Sequence, residues 1–265
     1  PLDEQVRFEI VDEVAWITID RPEKGNALSP PCRNRIRDLI NGLNGAHTAR
    51  AIVLTASGEK LFCPGADLSH RVPSERPEGV PERVVGDARR MMREGQYTLF
   101  PAILDSELPI IAAVNGTAAG MGAHLAFACD LVIAAEGTKF IEVFSRRGLV
   151  VDALGAYLLP RTIGLHKAKE LVLFGDDLPV AEAERLGLVN KVVPNAELHA
   201  AAAEWAGLLA ESPTKALMLS KWLLNRSMES SRGAAFEDEA WAQEMASYTA
   251  DFQEGVAAFK ERRDV

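Results

Sequence analysis

The sequence predicts an α/β core followed by a helical C-terminal part, and three observations carry that expectation. Short apolar runs alternate with segments of helical period up to about residue 165. From Leu165 onward helical segments follow one another almost without a break. The 265 residues, 48% of them hydrophobic, suffice for a large buried core and for roughly one to two domains. The change of character falls near 195–210, with no flexible linker, so residues 1–195 are expected to form the core and 196–265 the helical region.

Val6, Phe8 and Ile10 alternate, and Val14, Trp16, Ile17 and Ile19 form a second apolar run. Asp12-Glu13 between them reads as a hairpin turn. Ser29 is a candidate N-cap with Pro30 in the first helical position, and Ile36, Leu39, Ile40 and Leu43 carry helical spacing. Ala51–Thr55 reads as a short buried strand. Residues 69–95 hold Pro73, Pro77 and Pro81, six arginines and five acidic residues. They read as a surface loop leading into a helix near Asp87–Leu104, and such loops often border ligand sites. Leu108–Val114 is a strongly apolar strand, and the small residues Thr117–Gly122 open a helix through Phe127. Leu131–Ala135 and Lys139–Ile141 read as further strands. Helices are expected at about 166–174, 180–186, 195–210, 214–228, 233–248 and 250–262, interrupted only by a strand at Lys191–Val193.

Against 29 Lys+Arg stand 38 Asp+Glu, a formal charge of −9. That balance argues against a nucleic-acid partner, which needs a basic surface. It still permits a small anionic ligand held by a local cluster of cations. Cys32, Cys63 and Cys129 are far apart and form no CxxC, which fits reduced thiols in a cytoplasmic protein. The charged stretch Pro1–Phe8 has no apolar core of a signal peptide. No apolar run approaches the roughly 20 residues of a membrane span, so no membrane partner is expected. Phosphate-loop, dinucleotide and nucleophile-elbow patterns are absent. The five histidines, at 47, 70, 124, 166 and 199, have no paired metal-ligand spacing, and no metal is expected.

Two turns share one design. Phe62-Cys63-Pro64-Gly65-Ala66-Asp67-Leu68 follows a strand, and Asn115-Gly116-Thr117-Ala118-Ala119-Gly120-Met121-Gly122 leads from strand to helix. Small residues let a ligand approach the backbone closely. N–H groups from two such turns can converge on one oxygen and form an oxyanion hole. Tight packing is the plainer use of such glycines.

With Arg21-Pro22, Asn26-Ala27-Leu28, Gly65-Ala66-Asp67-Leu68, the Asn115–Gly122 turn, Cys129-Asp130 and Gly187-Leu188-Val189 in this order, the chain resembles the crotonase (enoyl-CoA hydratase/isomerase) superfamily. The resemblance runs from about residue 5 to the C-terminus. It implies a spiral of ββα units, a helical trimerisation region, homotrimers that often pair into hexamers, and an acyl-CoA substrate. No separate cofactor is implied, because coenzyme A is part of the substrate. By position, the backbone N–H groups of Ala66 and Met121 would hold the thioester oxygen as it becomes an enolate.

Hydratases of this family use two glutamates. The first falls at His124 and the second at Phe144, which cannot exchange a proton. Glu142, two residues earlier, would face the same side as Phe144 on a strand. The stretch Gly148–Gly155 and the following Leu158-Leu159-Pro160-Arg161 resemble the branch of dienoyl-CoA and ring-epoxyphenylacetyl-CoA isomerases. In that branch an aspartate at the Asp152 position faces the acyl chain. One carboxylate can take a proton from one carbon and return it at another, which is what an isomerase requires. As a purely structural alternative, Asp152 would cap the helix that follows it. His124 is either a core histidine or a second polar catalytic group.

The resemblance places Lys24 near the CoA phosphates, with Ala27, Leu28, Gly65, Ala66, Asp67 and Leu68 along the adenine and pantetheine path. Gly120, Val143, Phe144 and Val151 fall at the acyl end, and Phe100 and Tyr157 are further candidates to shape that pocket. Phe259 and Lys260 lie on the last helix, which in the family covers the ligand, often from a neighbouring subunit. With Phe252 and Val256 they recur at helical spacing, a stripe that reads as packing more than as ligand contact. The favoured expectation is an enoyl-CoA isomerase with a one-base shuttle. Alternatives are a hydratase, or a hydrolase of cyclic β-keto acyl-CoA, using His124 and Asp152. A non-catalytic acyl-CoA binder is the third reading.

Overall fold

The computed structural model describes residues 5–69, 79 and 84–264. In chain order the strands are β1 (Val6–Val11), β2 (Val14–Ile19), β3 (Ala51–Ala56), β4 (Leu61–Cys63), β5 (Ile110–Val114), β6 (Thr117–Ala119), β7 (Leu131–Ala135), β8 (Lys139–Ile141), β9 (Asp177–Pro179) and β10 (Lys191–Val193). The first helices are α1 (Pro30–Leu43), α2 (Asp87–Glu94), α3 (Gln96–Leu104), α4 (Met121–Phe127), α5 (Gly155–Ile163), α6 (Leu165–Phe174) and α7 (Val180–Arg185). The last four are α8 (Leu198–Glu211), α9 (Thr214–Ser227), α10 (Arg232–Ser247) and α11 (Ala250–Glu261).

Two sheets carry the strands, in the orders β1-β2-β3-β5-β7-β10 and β4-β6-β8-β9. The β1–β2 hairpin pairs Val11 with Val14 across Asp12 and Glu13, both at positive φ (49° and 59°), as a two-residue hairpin demands. From β2 to β10 the large sheet is parallel. Both its faces are covered, which explains the unbroken apolar runs. Alternate residues serve opposite faces. Ala15, Ile17 and Ile19 enter the main core, while Val14 and Trp16 join Val53, Ile111 and Ile133 under α8. Trp16 stacks on His199 of α8 with ring centroids 4.3 Å apart. Ser29 caps α1 as expected, accepting the Cys32 N–H at 3.3 Å.

Several expectations are corrected. The helix expected near 87–104 is two helices, broken at Gly95, where a Cβ would lie 2.1 Å from the Arg33 guanidinium. Thr117–Gly122 opens with strand β6, and helix starts only at Met121. Lys191–Val193 is not the sole late strand, because β9 precedes it. Phe252, Val256 and Phe259 are exposed in the chain, Phe259 at 85%, so the stripe does not pack within the protomer. Pro73, Pro77 and Pro81 lie outside the described residues.

The small sheet positions the site. β4, β6 and β8 are parallel, so their carboxyl ends lie at one edge. The residues after each end therefore gather there: Gly65–Asp67, Gly120–Met121 and Glu142–Phe144.

Candidate active site

The motifs at Arg21, Asn26–Leu28 and Gly65–Leu68 form one hydrogen-bonded unit. Leu28 and Ala66 make a parallel bridge in which the Leu28 N–H donates to Gly65 O and the Asp67 N–H to Leu28 O, each at 2.9 Å. Arg21 donates from Nη1 to the Ala27 carbonyl and from Nη2 to Asp67 Oδ2, the latter at 2.9 Å. Both ion-pair side chains are only 7% exposed. The Ser69 hydroxyl, then Arg21, hold the Asp67 carboxyl down to about 2, so it stays ionised and keeps the turn closed.

Asn26 ties this unit to its neighbours. Its Nδ2 donates to the Ser57 and Leu61 carbonyls at 2.9 and 2.7 Å, and its Oδ1 accepts the Arg21 N–H at 3.1 Å. Asn26 is buried at φ 63°, a conformation asparagine tolerates better than most side chains. Asn26→Ala takes the side-chain partner from the Leu61 carbonyl and the Arg21 N–H and leaves the Ser57 carbonyl only its longer bond from Asn115, and is expected to cost about 2–4 kcal/mol in urea unfolding, with activity falling in step.

The parallel bridge turns the Ala66 N–H away from Leu28. Met121 is the first residue of α4, so its N–H has no intrahelical acceptor. Neither N–H has a hydrogen-bond partner among the described residues. The two turns are pressed together. A Cβ on Gly65 (φ 104°) would lie 3.7 Å from Met121 N, and one on Gly122 only 2.0 Å from the Cys63 carbonyl oxygen. These glycines thus serve both purposes the sequence left open, tight packing and bare, adjacent N–H groups.

Beside the turns lies a buried polar cluster. His124 is fully buried one turn into α4, and its Nε2 lies 3.0 and 3.1 Å from the two oxygens of Glu142. Phe144 stacks on the imidazole with centroids 5.7 Å apart. Val143 and Phe144 wall Gly120, where a Cβ would meet them at 3.2 and 3.3 Å. Asp152 accepts from Gln96 Nε2 at 3.2 Å, and its other oxygen is buried without a partner among the described residues. Burial pushes the Asp152 carboxyl up, while Gln96 and His124 pull it down and Glu142 pushes it further up. Asp152 is not the cap of α5: that residue is Leu154, and no side chain caps the helix.

His124, Asp152, Gly120, Val143, Phe144 and Val151 therefore meet, Val151 packing at Gly155 beside His124. Gly65, Ala66, Asp67, Ala27 and Leu28 adjoin through the bridge. Leu68 is 74% exposed beyond it, and Lys24 is exposed on a 3₁₀ turn at Pro22–Lys24. Phe259 and Lys260 are exposed on α11, which packs on α10. Phe100 is core, and Tyr157 lines a cavity of about 890 Å³ with Leu104, Arg161 and Trp222. Sequence reasoning underrated Glu142 and missed Gln96. The parity with Phe144 was the available signal for Glu142. Cys129-Asp130 serves structure: Asp130 accepts the Ile110 N–H at 2.7 Å and pairs with Lys221 of α9 at 2.8 Å.

Comparison with known proteins gives concordant matches. The family model described as enoyl-CoA hydratase/isomerase matches residues 9–265. A Rhodobacter capsulatus protein named "Probable enoyl-CoA hydratase" is 38% identical over 97% of this chain and 95% of its own. The 1,2-epoxyphenylacetyl-CoA isomerase of Escherichia coli is 35% identical over 94% of this chain and 93% of its own. A crystal structure of enoyl-CoA hydratase from Bacillus anthracis superposes with a TM-score of 0.88 at 31% identity, covering 98% of this chain and 97% of that one. The fold is the crotonase fold, an α/β architecture with a helical C-terminal region. The chain belongs to the enoyl-CoA hydratase/isomerase family, whose members act on acyl-CoA substrates. No helix among the described residues is long and apolar enough to cross a membrane.

Proposed function

We propose that this enzyme is an enoyl-CoA isomerase in which Asp152 shuttles one proton beneath an oxyanion hole made by the Ala66 and Met121 N–H groups. One observation carries the reading: Asp152 does not cap α5, is held by Gln96 through one oxygen, and has its other oxygen buried with no partner among the described residues. The thioester oxygen would sit on the two N–H groups. As Asp152 removes a proton from the acyl chain, charge gathers on that oxygen, where the fixed dipoles stabilise it. Asp152 then returns the proton at another carbon. Phe144, where a hydratase would carry its second glutamate, excludes a two-glutamate water site. Lys24 would meet the CoA phosphates. Phe259 and Lys260 would reach a ligand from a neighbouring subunit of a trimer or of a hexamer built from two trimers. The exposed Trp222, Phe236, Trp241 and Tyr248 within 196–265 support an association role for that region. The scheme needs no metal or separate cofactor, and its setting is cytoplasmic.

One observation favours a second reading. His124, hydrogen-bonded to a buried carboxylate, could activate water with Asp152, as a hydratase or a cyclic β-keto acyl-CoA hydrolase requires. Relatives carry hydratase and isomerase names alike. Incubation with 2-enoyl-, 3-enoyl- and cyclic β-keto-CoA panels in deuterated water separates the readings. A moved double bond without added water is the expected result, with deuterium entering only as far as the proton held by Asp152 exchanges with solvent before its return. Gain of water, or C–C cleavage, would transfer the assignment to the His124 reading, and binding without turnover would leave only a binder.

A further inference from the structure

We propose that Glu142 is a positioning residue for His124, fixing the tautomer of its neutral ring so that Nε2 carries the proton and Nδ1 is the bare nitrogen. The inference rests on the catalytic reading of the His124–Asp152 pair. Both Glu142 oxygens approach Nε2, and the side chains are 0% and 5% exposed, so water does not compete for the contact. Both Glu142 oxygens are placed to accept from Nε2, which favours the ring proton on that nitrogen. When the ring is neutral its lone pair is then on Nδ1, which is buried and has no partner among the described residues. The Glu142 carboxylate has no other hydrogen-bond partner among the described residues. The ring's plane is set separately. Phe144 lies at 15° to it, and a Cβ on Gly155 would lie 2.1 Å from its Cε1. Steric walls thus hold the ring's place, and Glu142 decides which nitrogen is free. Asp152 Oδ1 and Gln96 Oε1, on side chains that are hydrogen-bonded to each other, are likewise buried without a partner among the described residues.

The first test needs no turnover. In ¹⁵N-histidine-labelled protein, with the signal assigned by its loss in His124→Gln, His124 should show a protonated Nε2 and a bare Nδ1. A protonated Nδ1 beside a bare Nε2 would overturn the proposal, whatever the enzyme's reaction. The second test is kinetic, with a 3-enoyl-CoA as probe. Glu142→Leu should lose the single tautomer and lower kcat at least about tenfold, because the histidine loses the carboxylate that holds its tautomer. Glu142→Gln, whose amide oxygen can still accept from Nε2, should retain the tautomer and recover part of the rate. KM should move less than threefold in both. Unchanged kcat in a folded Glu142→Leu protein would overturn the proposal. If the probe does not turn over at all, the functional reading falls and the NMR result alone decides the role of Glu142.

Discussion

Asp152→Asn is expected to lower kcat about 10³-fold while acyl-CoA binding, measured by calorimetry, stays within threefold. Asparagine has the shape of aspartate and still offers an oxygen to Gln96, so the contact between α3 and the segment before α5 survives. The substitution leaves α5 alone, because Asp152 does not cap it. Only the capacity to take up a proton is removed. The same residue sets the acid side of the pH profile. Burial raises the Asp152 pKa, so the base takes up its proton, and kcat/KM falls, at a higher pH than for a solvated carboxylate. That acid limb should be absent from whatever residual rate Asp152→Asn retains. Full activity in the variant would remove Asp152 as the base.

Gly122→Ala should be nearly as damaging by a different route. The added methyl would lie 2.0 Å from the Cys63 carbonyl oxygen and 2.6 Å from its carbon, both backbone atoms. The start of α4 must therefore shift away from the turn after β4. Overpacking of this kind costs about 1–3 kcal/mol of stability. Moving one donor out of reach of the thioester oxygen should lower kcat about 10²–10³-fold. Gly42→Ala supplies the control: it lies inside α1, and nothing is within 4 Å of its added methyl. It should raise stability by about 0.5–1 kcal/mol without changing kcat. Thermal melts and initial rates on both variants check the pair. Normal kcat in Gly122→Ala would detach the oxyanion hole from this packing.

Much of this was legible locally. The apolar runs of β2, β3 and β5 announce strands covered on both faces, and the glycine-rich turns at Gly65 and Gly120–Gly122 announce close backbone approach. Of the three-residue strands, β8 (Lys-Phe-Ile) and β10 (Lys-Val-Val) carry strand-forming side chains and are legible, whereas β6 (Thr-Ala-Ala) and β9 (Asp-Leu-Pro) carry too few to mark them. Asp152 resembled a cap because aspartate before a helix so often is one. The chain instead passes through positive φ at Ala153 and Leu154, 48° and 62°, without a glycine to signal it. Gln96 meets Asp152 across 56 positions of sequence, and nothing near Gln96 encodes that meeting.

The Ser57 carbonyl receives Asn26 at 2.9 Å and Asn115 at 3.4 Å, the second also donating to Gly58 O at 2.6 Å. One short loop after β3 is thus the common footing of both turns that supply N–H groups to the site. A sequence change in that loop would displace both donors at once, so neither can be retuned alone from that side. On the proposed function, room to alter acyl preference would lie around Val143, Phe144 and Val151, where side chains and not shared backbone carbonyls wall Gly120 and Gly155. An engineer reshaping this enzyme would therefore vary that wall and leave residues 57–60 untouched.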